Sequence, residues 1–437
     1  MLVGIKIIYK VVIPLVMCAF LLTGCFWIDM IAEYRQNLVD ARLEERTRDN
    51  TATSVREDTS VGSTEDSISE TNEVQLRVGD IKKKYDPEYT NSDKRDMQSV
   101  PDPAILEEVP LNADTALEEY LARFLIHGQK RISLQAFSDV QTYEANAVHD
   151  ILQKVVYQNP LIIGLDTYWY NPLTRTLVIT YQDSQRTMEG KQQKTVDEAR
   201  LIIDSIVHEE MGDEERRQAI YDYLEQNAVY DDEAYENSVS HNYEYVDSEY
   251  DDAFSTYGVM VKKLGVCMSY AYSYKMLADL AGIESIIVTG TLDDVPHAWN
   301  KVKIGDEWLN VDSTNGATNS GVPYFLYNAN DESAIKLGYV EDEYYWLDEE
   351  LYQFTGSTNK YDYYVVHDLE VSSLSEYRTK LAKGLRSGAS TVSLRLLADM
   401  DEDEIEEVIF EVYSEVAPEL LGVGEYYEIE NYAVFYQ

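Results

Sequence analysis

One cysteine, one histidine and one aspartate stand in an order and spacing that a thiol nucleophile could use. Cys267 lies in the run G-V-C-M-S-Y-A, and His297 and Asp312 begin and end the downstream run H-A-W-N-K-V-K-I-G-D-E-W-L-N-V-D. A cysteine supplies the nucleophile, a histidine takes its proton, and a carboxylate orients the imidazole and stabilises its charged form. We therefore interpret Cys267, His297 and Asp312 as a candidate catalytic triad.

A helix is predicted to begin at or near Cys267. Six residues recur at helical spacing on one face: Cys267, Tyr270, Ala271, Tyr274, Ala278 and Ala281. Gly282 follows where a helix commonly stops, because glycine accepts the left-handed conformation. Unpaired backbone N–H groups and the positive dipole end at a helix start favour a thiolate. The N–H of Cys267 could also help to stabilise an oxyanion.

Strands are predicted to carry the other two members of the triad. The β-branched residues within Glu284–Thr291 indicate a strand. His297–Ile304 and Glu307–Ser313 indicate a hairpin around Gly305-Asp306, a residue pair suited to a tight turn.

The register of this hairpin decides whether the histidine and the aspartate can meet. If Ile304 opposes Glu307, Asp312 becomes the diagonal neighbour of His297 on the same face of the sheet, within side-chain reach. A three-residue loop would shift the register and place Asp312 on the opposite face. Three apolar residues of the opposite face are predicted to lie in the core: Val302, Leu309 and Val311.

Two segments carry a resemblance to a known family. The runs T-Y-G-V-M-V-K-K-L-G-V-C-M-S-Y-A and V-P-H-A-W-N-K-V-K-I-G-D-E-W-L-N-V-D-S-T resemble the transglutaminase-like superfamily, whose core is similar to that of papain-type proteases. The resemblance spans roughly Asp251–Tyr327. It implies an α+β core in which a helix bearing the cysteine packs on an antiparallel sheet bearing the histidine and the aspartate.

The resemblance also bears on individual residues. It implies the triad Cys267, His297 and Asp312, and it implies that an upstream aromatic residue assists the oxyanion, for which Tyr257 is a candidate. Met268 departs from the pattern, because many relatives carry a polar residue there. Some members of the superfamily lack catalysis, so a non-catalytic binding module on the same fold is the alternative.

The composition excludes some partners. The chain has 437 residues, room for two or three domains, and a formal net charge of −44. Such a charge argues against nucleic acid or bare anionic lipid as a binding surface, because like charges repel. It indicates either simple solubility or attraction to basic substrates or cations. The sequence shows no Gly-rich phosphate loop and no His/Cys metal cluster, so we expect neither a metal nor a cofactor.

The N-terminus has the pattern of an export signal. Lys6 and Lys10 precede an apolar run that ends in L-T-G-C at Cys25. This ending resembles the bacterial lipobox, which implies cleavage after residue 24 and lipidation of Cys25; an uncleaved membrane anchor is the alternative. Both interpretations place the protein on the extracytoplasmic face of a bacterial cell membrane. Cys267 then has no disulfide partner, and a lone thiol in an exported domain indicates reactivity.

Five regions are predicted along the chain. A lipoprotein signal peptide (1–24) is followed by a flexible tether (25–112), whose polar run cannot bury enough surface to offset the entropy of ordering. A small α+β domain of order α-β-α-β-β (113–185) precedes the transglutaminase-like domain (190–365). Residues 370–437 are predicted to repeat the small domain, since Tyr120, Tyr168 and Tyr181 match Tyr377, Tyr426 and Tyr436. The alternative is two unrelated α+β segments.

The remaining segments give weaker signals. Helices are predicted over Val196–His208 and Asp213–Asn227, and the acidic, Tyr-rich residues 230–252 are predicted to form a long loop or lid near the site. His241 within it is a second candidate base. Asp399, Asp401 and Asp403 superficially suggest a calcium loop, but Glu404 and Phe410 occupy its diagnostic positions, so the acidic start of a helix is the better interpretation.

The sequence therefore predicts a lipid-anchored thiol enzyme that cleaves or transfers amide bonds in proteins or peptides, cell-wall peptides included, through a thioester. The triad alone does not separate peptide cleavage from transamidation, because both share that intermediate. The alternatives are a non-catalytic surface or cell-wall binding module, and a structural wall-associated protein whose repeated domains bind a polymer.

Overall fold

The computed structural model describes residues 99–137, 145–171, 173–342, 354–421 and 425–436. The predicted signal peptide, the lipidation residue Cys25 and the tether up to residue 98 lie outside the described residues. Among the helices that are described, none combines the length and the apolar composition needed to cross a bilayer.

The first unit has the predicted order of elements. These are α1 (Ala116–Ile126), β1 (Arg131–Ser133), α2 (Ala145–Gln158), β2 (Leu165–Asn171) and β3 (Thr176–Tyr181). Its antiparallel sheet has the order β1-β3-β2.

The end of the predicted tether departs from expectation, because residues 99–112 contain a 3₁₀-helix (Ala104–Glu107) and a buried Val109 that packs in the core. The apolar side chains of this short stretch explain the difference, since the polar run lies upstream.

The central domain is built around a five-stranded antiparallel sheet. Its helices are α3 (Gln185–Ile206), α4 (Asp213–Asn227), α5 (Asp232–Ser240), α6 (Cys267–Leu280), α7 (Ala317–Ser320), α8 (Asp331–Lys336) and α9 (Tyr363–Val366). Its strands are β4 (Val229–Tyr230), β5 (Leu264–Gly265), β6 (Ser285–Leu292), β7 (Val295–Ile304), β8 (Glu307–Val311), β9 (Tyr327–Ala329) and β10 (Tyr339–Glu341). The large sheet has the order β10-β6-β7-β8-β9, and α6 packs against β6 and β7. The predicted α+β core, a cysteine helix on an antiparallel sheet, is confirmed.

The hairpin β7–β8 has the predicted register. Ile304 opposes Glu307, and Asn300 opposes Val311. Gly305 in the turn has a φ of +67°, a conformation that glycine adopts without steric cost. Val302, Leu309 and Val311 are fully buried, as predicted.

Two helical boundaries differ from the prediction. Helix α3 begins at Gln185, not at Val196, after Ser184 accepts the N–H of Thr187 as its cap. Its first turns bury few side chains and are rich in polar residues, so hydrophobic residues do not recur there at helical spacing. The segment predicted as a long loop contains α5, which Asp231 caps by accepting the N–H of Ala234. This helix lacks the aliphatic stripe that reveals a helix in a sequence.

The C-terminal unit consists of β11 (Glu370–Val371), α10 (Leu374–Arg386), β12 (Thr391–Leu396), α11 (Glu402–Val416), β13 (Glu425–Ile429) and β14 (Tyr432–Tyr436). Its sheet order, β11-β12-β14-β13, contains the first unit's order with β11 added. The registers of the two sheets differ. Ser133 pairs with Thr176, five residues before Tyr181, whereas the matching Ser393 pairs with Val434, two residues before Tyr436. The strand order is compatible with a duplication, which stays a prediction.

The two small units attach to the central domain in different ways. Hydrophobic packing is continuous between the first unit and the central domain, and Leu121 and Leu277 belong to one cluster. Gln158, at the end of α2, forms both hydrogen bonds with the backbone of Ile287 in β6, at 2.8 and 3.0 Å. The C-terminal unit has a core of its own and docks through tyrosines of β14, such as Tyr432, whose hydroxyl donates to the Phe325 carbonyl at 2.9 Å.

Candidate active site

Cys267 is the first residue of α6, as predicted. Its N-terminal neighbour Val266 is in an extended conformation and gives no side-chain cap. The thiol is free and partly exposed. Gly265 is required just before it, because a Cβ there would lie 2.8 Å from the Ser269 side chain and 3.0 Å from the Ala253 carbonyl oxygen. The close packing of this turn fixes the start of the helix.

His297 and Asp312 are in direct contact. The Nε2 atom of His297 lies 2.8 Å from Oδ2 of Asp312, and the two side chains are only 9% and 1% exposed. Strand β8 ends at Val311, two residues earlier than predicted, because the N–H of Asp312 turns to the Leu326 carbonyl instead. His297 and Asp312 are nevertheless in contact on the same face of the sheet, as predicted.

His297 also lies close to the Cys267 thiol, whose charge acts on the imidazole. Since Nε2 is bonded to Asp312, Nδ1 is the ring nitrogen left for the sulfur. Burial lowers the pKa of His297, but its interactions with Asp312 and Cys267 outweigh burial and raise the pKa to about 10. The structure thus brings the three predicted residues together as Cys267, His297 and Asp312 in series.

Asp312 is a buried carboxylate with four hydrogen-bond donors. Its Oδ1 accepts the Thr314 N–H at 2.9 Å, and its Oδ2 accepts from His297, from Asn315 Nδ2 at 2.8 Å and from the Tyr339 hydroxyl at 2.7 Å. Burial raises the pKa of Asp312, but His297, Tyr339 and the Thr314 N–H hold it below the ordinary value. The carboxylate is therefore charged and fixed in orientation. Sequence reasoning missed Asn315, which follows D-S-T, and Tyr339, for which the sequence gives no local signal.

Two aromatic rings border the imidazole. Trp299 lies nearly parallel to it, with ring centroids 6.1 Å apart and an interplanar angle of 18°. Tyr339 meets it edge to face at 5.6 Å. The indole N–H of Trp299 donates to Asn310 Oδ1 at 2.9 Å, so this ring is itself held in place. The rings restrict the orientation of His297 and shield its bond to Asp312 from water.

For Tyr257, the candidate from the sequence, the structure gives one ring contact. The contact found for its ring is with Lys191, whose Nζ lies 5.8 Å from the ring centre. Tyr230 also approaches this turn, because β4 pairs with β5 and Tyr230 opposes Gly265, two residues before Cys267. Burial and the charge of Cys267 both raise the pKa of Tyr230. Sequence reasoning assigned Tyr230 only to the predicted lid.

The other sequence candidates lie elsewhere. His241 ends α5, where its Nδ1 donates to the Asn237 carbonyl at 2.9 Å and its ring packs on Tyr245. Asp401 caps α11 by accepting the N–H groups of Asp403 and Glu404, as predicted for the acidic start of a helix. Within the described part of the chain, no group of three or more His, Cys, Asp or Glu side chains could hold a metal ion.

One family model and two solved structures match parts of this chain. The family model of the transglutaminase-like superfamily matches residues 200–313, a range that contains all three triad residues. A solved transglutaminase structure matches at 18% identity and a TM-score of 0.25 over 30% of this chain and 33% of its own. A candidate cysteine protease from Cytophaga hutchinsonii matches at 19% identity and a TM-score of 0.21 over 28% of this chain and 37% of its own.

The chain therefore spans about a third of the length of these two structures. The curated proteins give no significant match. The predicted family is confirmed by the family model together with the Cys helix and the His–Asp hairpin that the fold shows. Residues 200–313 of this protein form a domain of the transglutaminase-like superfamily.

Proposed function

We propose that the protein is a thiol enzyme that cleaves or transfers amide bonds in proteins or peptides, anchored by lipid on the extracytoplasmic face of a bacterial membrane. The observation that carries the enzymatic part is the position of His297. Its ring is hydrogen-bonded to the buried, charged Asp312 at 2.8 Å, and it lies close enough to Cys267 for the charge of the thiol to act on it. A binding module would have no need of a carboxylate held by four donors behind a histidine.

The reaction follows from this arrangement. The Cys267 thiolate attacks the amide carbonyl carbon, and the negative charge moves to the carbonyl oxygen. When the C–N bond breaks, the His297 imidazolium gives its proton to the leaving amine, and the acyl group remains as a thioester on Cys267. Water or a primary amine then attacks the thioester while His297 takes its proton, and the thiolate leaves. Asp312 remains ionised throughout and keeps Nδ1 of His297 directed at the sulfur.

The fate of the thioester decides between the two reaction types. The protein should be incubated with a peptide substrate in the absence and presence of a primary amine, and the products identified by mass spectrometry. A free acid alone indicates a hydrolase, whereas an amine adduct indicates acyl transfer. Absence of both products with a panel of peptides, together with an unreactive Cys267, would support the non-catalytic binding module instead.

The oxyanion is assigned to two donors. One is the backbone N–H of Cys267 at the start of α6, and the other is the hydroxyl of Tyr230. We expect Tyr230→Phe to lower kcat by about 10² to 10³-fold, the usual cost of losing one oxyanion donor. Alkylation of Cys267 by iodoacetamide should stay near the wild-type rate, since that reaction builds no oxyanion.

Tyr257, the oxyanion donor suggested by the sequence, is tested in parallel. Tyr257→Phe removes the other hydroxyl proposed for this role, and steady-state kinetics of both variants should be measured on one peptide. A larger loss of kcat in Tyr257→Phe than in Tyr230→Phe would contradict the assignment to Tyr230.

The anchoring part of the proposal is supported by the L-T-G-C sequence at Cys25. We expect the native protein to partition with membranes and to begin at an acylated Cys25. Cys25→Ala should block acylation and cleavage at this position. The variant should then either leave the membrane fraction or keep its signal peptide. An unmodified Cys25 thiol in an intact-mass measurement would overturn the anchor and leave the enzymatic part untouched.

A further inference from the structure

We propose that Tyr339 is a positioning residue that holds the Asp312 carboxylate and the His297 ring in their reactive arrangement. The inference rests on the proposed function only in treating Cys267 and His297 as the reacting pair. Tyr339 itself acts through Asp312.

Tyr339 contacts both groups with different parts of its side chain. Its hydroxyl donates to Asp312 Oδ2 at 2.7 Å, and its ring meets the His297 ring edge to face at 5.6 Å. The residue is 1% exposed, so water does not compete for the hydroxyl. A phenol that bonds to a carboxylate forms a charge-assisted hydrogen bond, which is stronger than a neutral one. One side chain thus restricts the rotation of the carboxylate and of the imidazole.

The direction of the Tyr339 hydroxyl is also determined. Asn315 Nδ2 donates to the Tyr339 oxygen at 3.2 Å and to Asp312 Oδ2 at 2.8 Å. Because the oxygen of Tyr339 already accepts from Asn315, its own hydrogen is directed to Asp312. Burial raises the pKa of Tyr339, and the Asp312 charge raises it further, so the hydroxyl keeps this hydrogen through neutral pH.

A buried ion pair holds the strand that carries Tyr339. Strand β10 is only three residues long and lies at the edge of the sheet. Its last residue, Glu341, accepts from Lys301 Nζ at 2.5 Å, and Lys301 also pairs with Asp331 at 2.9 Å while being 0% exposed. Lys301 shares with His297 one face of β7, since side chains alternate along a strand. The face that presents His297 therefore also secures the strand that presents Tyr339.

Several titratable groups from three different elements surround this network. The neighbours whose charges act on Asp312, His297 or Tyr339 are Cys267 of α6, Tyr230 of β4, Tyr221 of α4 and Tyr270 of α6. The tyrosines have raised pKa values because of burial, so they remain neutral where His297 titrates.

The test compares wild type with Tyr339→Phe by two measurements: the titration of the His297 ring followed by NMR, and the rate of Cys267 alkylation by iodoacetamide at neutral pH. We expect the rate at neutral pH to fall by about tenfold, as for the loss of one hydrogen bond to a charged group. We also expect the pH at which half of the His297 imidazolium is lost to move down by about one unit. The reason is that a loosened Asp312 stabilises the imidazolium less. A purely structural tyrosine would not move this midpoint.

The matched control is Tyr120→Phe in the first unit. Tyr120 is 3% exposed and its hydroxyl also donates at 2.7 Å, but to the Ser133 carbonyl. We expect it to lose similar thermal stability and to keep the wild-type His297 midpoint and alkylation rate. Asn315→Ala, at a half-buried position, should shift the His297 midpoint in the same direction as Tyr339→Phe.

Each outcome decides the question. An unchanged His297 midpoint in both Tyr339→Phe and Asn315→Ala, or a shift to higher pH, would overturn the positioning role while leaving the proposed reaction intact. A wild-type midpoint at or below the ordinary value for a histidine would refute the thiolate–imidazolium pair itself, and the role of Tyr339 with it. Neither the titration nor the alkylation needs turnover, so failure of the positioning role and failure of the proposed reaction are read from different measurements.

Discussion

Cys267→Ala should abolish both amide turnover and covalent trapping by a thiol-reactive peptide electrophile, and His297→Ala should reduce both nearly as far. The first change removes the atom that forms the thioester. The second removes the group that activates the thiol and protonates the leaving amine. Because these residues act as one unit, the double variant should be little worse than either single variant.

The pH dependence of the wild-type protein follows from the pKa of His297, which its partners raise to about 10. The imidazolium persists through neutral pH and is lost as the pH rises through about 10, so amide turnover, which needs its proton for the leaving amine, should decline there. The same shift contributes to folding stability. Since the pKa of His297 is higher in the folded than in the unfolded state, its contribution is fully present below about pH 6.5 and disappears through about pH 10.

Alkylation kinetics with wild type, His297→Ala and His241→Ala provide the measurement. His241 is the matched control, because its partners Asn237 and Tyr245 lie outside the triad. His241→Ala should keep the wild-type rate. If Cys267 alkylates no faster than a free thiol, or if His297→Ala leaves its rate unchanged, the catalytic interpretation fails and a binding module on this fold becomes the better description.

Asp312→Asn should lower kcat by about 10² to 10⁴-fold without changing the identity of the product. The amide keeps the shape of the carboxylate but loses the charge that stabilises the imidazolium. Its NH₂ group also faces donors, since Oδ2 of Asp312 accepts from Tyr339, Asn315 and His297. We therefore expect a lower melting temperature in addition to the kinetic loss.

Asp279→Asn separates these two effects. Asp279 is also buried and pairs with Lys275 at 2.6 Å, at the opposite end of the helix that begins with Cys267. Its replacement should lower the melting temperature and leave the rate per folded molecule near that of wild type. Equal kinetic losses in the two variants would mean that Asp312 contributes only to folding.

The sequence was most informative where local chemistry restricts the backbone. The Gly305-Asp306 turn allows few hairpin geometries, and its register predicted the meeting of His297 and Asp312. The helix start at Cys267 followed from periodicity and from Gly282. Both features depend on residues that are close together along the chain.

Contacts between distant segments could not be predicted in this way. Tyr339 reaches Asp312 from a three-residue edge strand, and the ion pair of Lys301 with Glu341 that secures this strand joins β7 to β10. Tyr230 approaches the nucleophile through a short parallel pairing that no local pattern indicates. Helix α5 was missed because acidic and tyrosine residues replace the aliphatic stripe.

The bonds between Gln158 and Ile287 affect more than the attachment of the first unit. Strand β10 pairs with β6 at residues 290–292, so among the described residues no strand pairs with the outer edge of β6 at Ile287. Open edges are templates for pairing with another chain, and proteins commonly cover them. Gln158 supplies the missing donor and acceptor from a neighbouring helix. A fragment that began at residue 190 would lose this cover, and the catalytic sheet would be exposed to self-association.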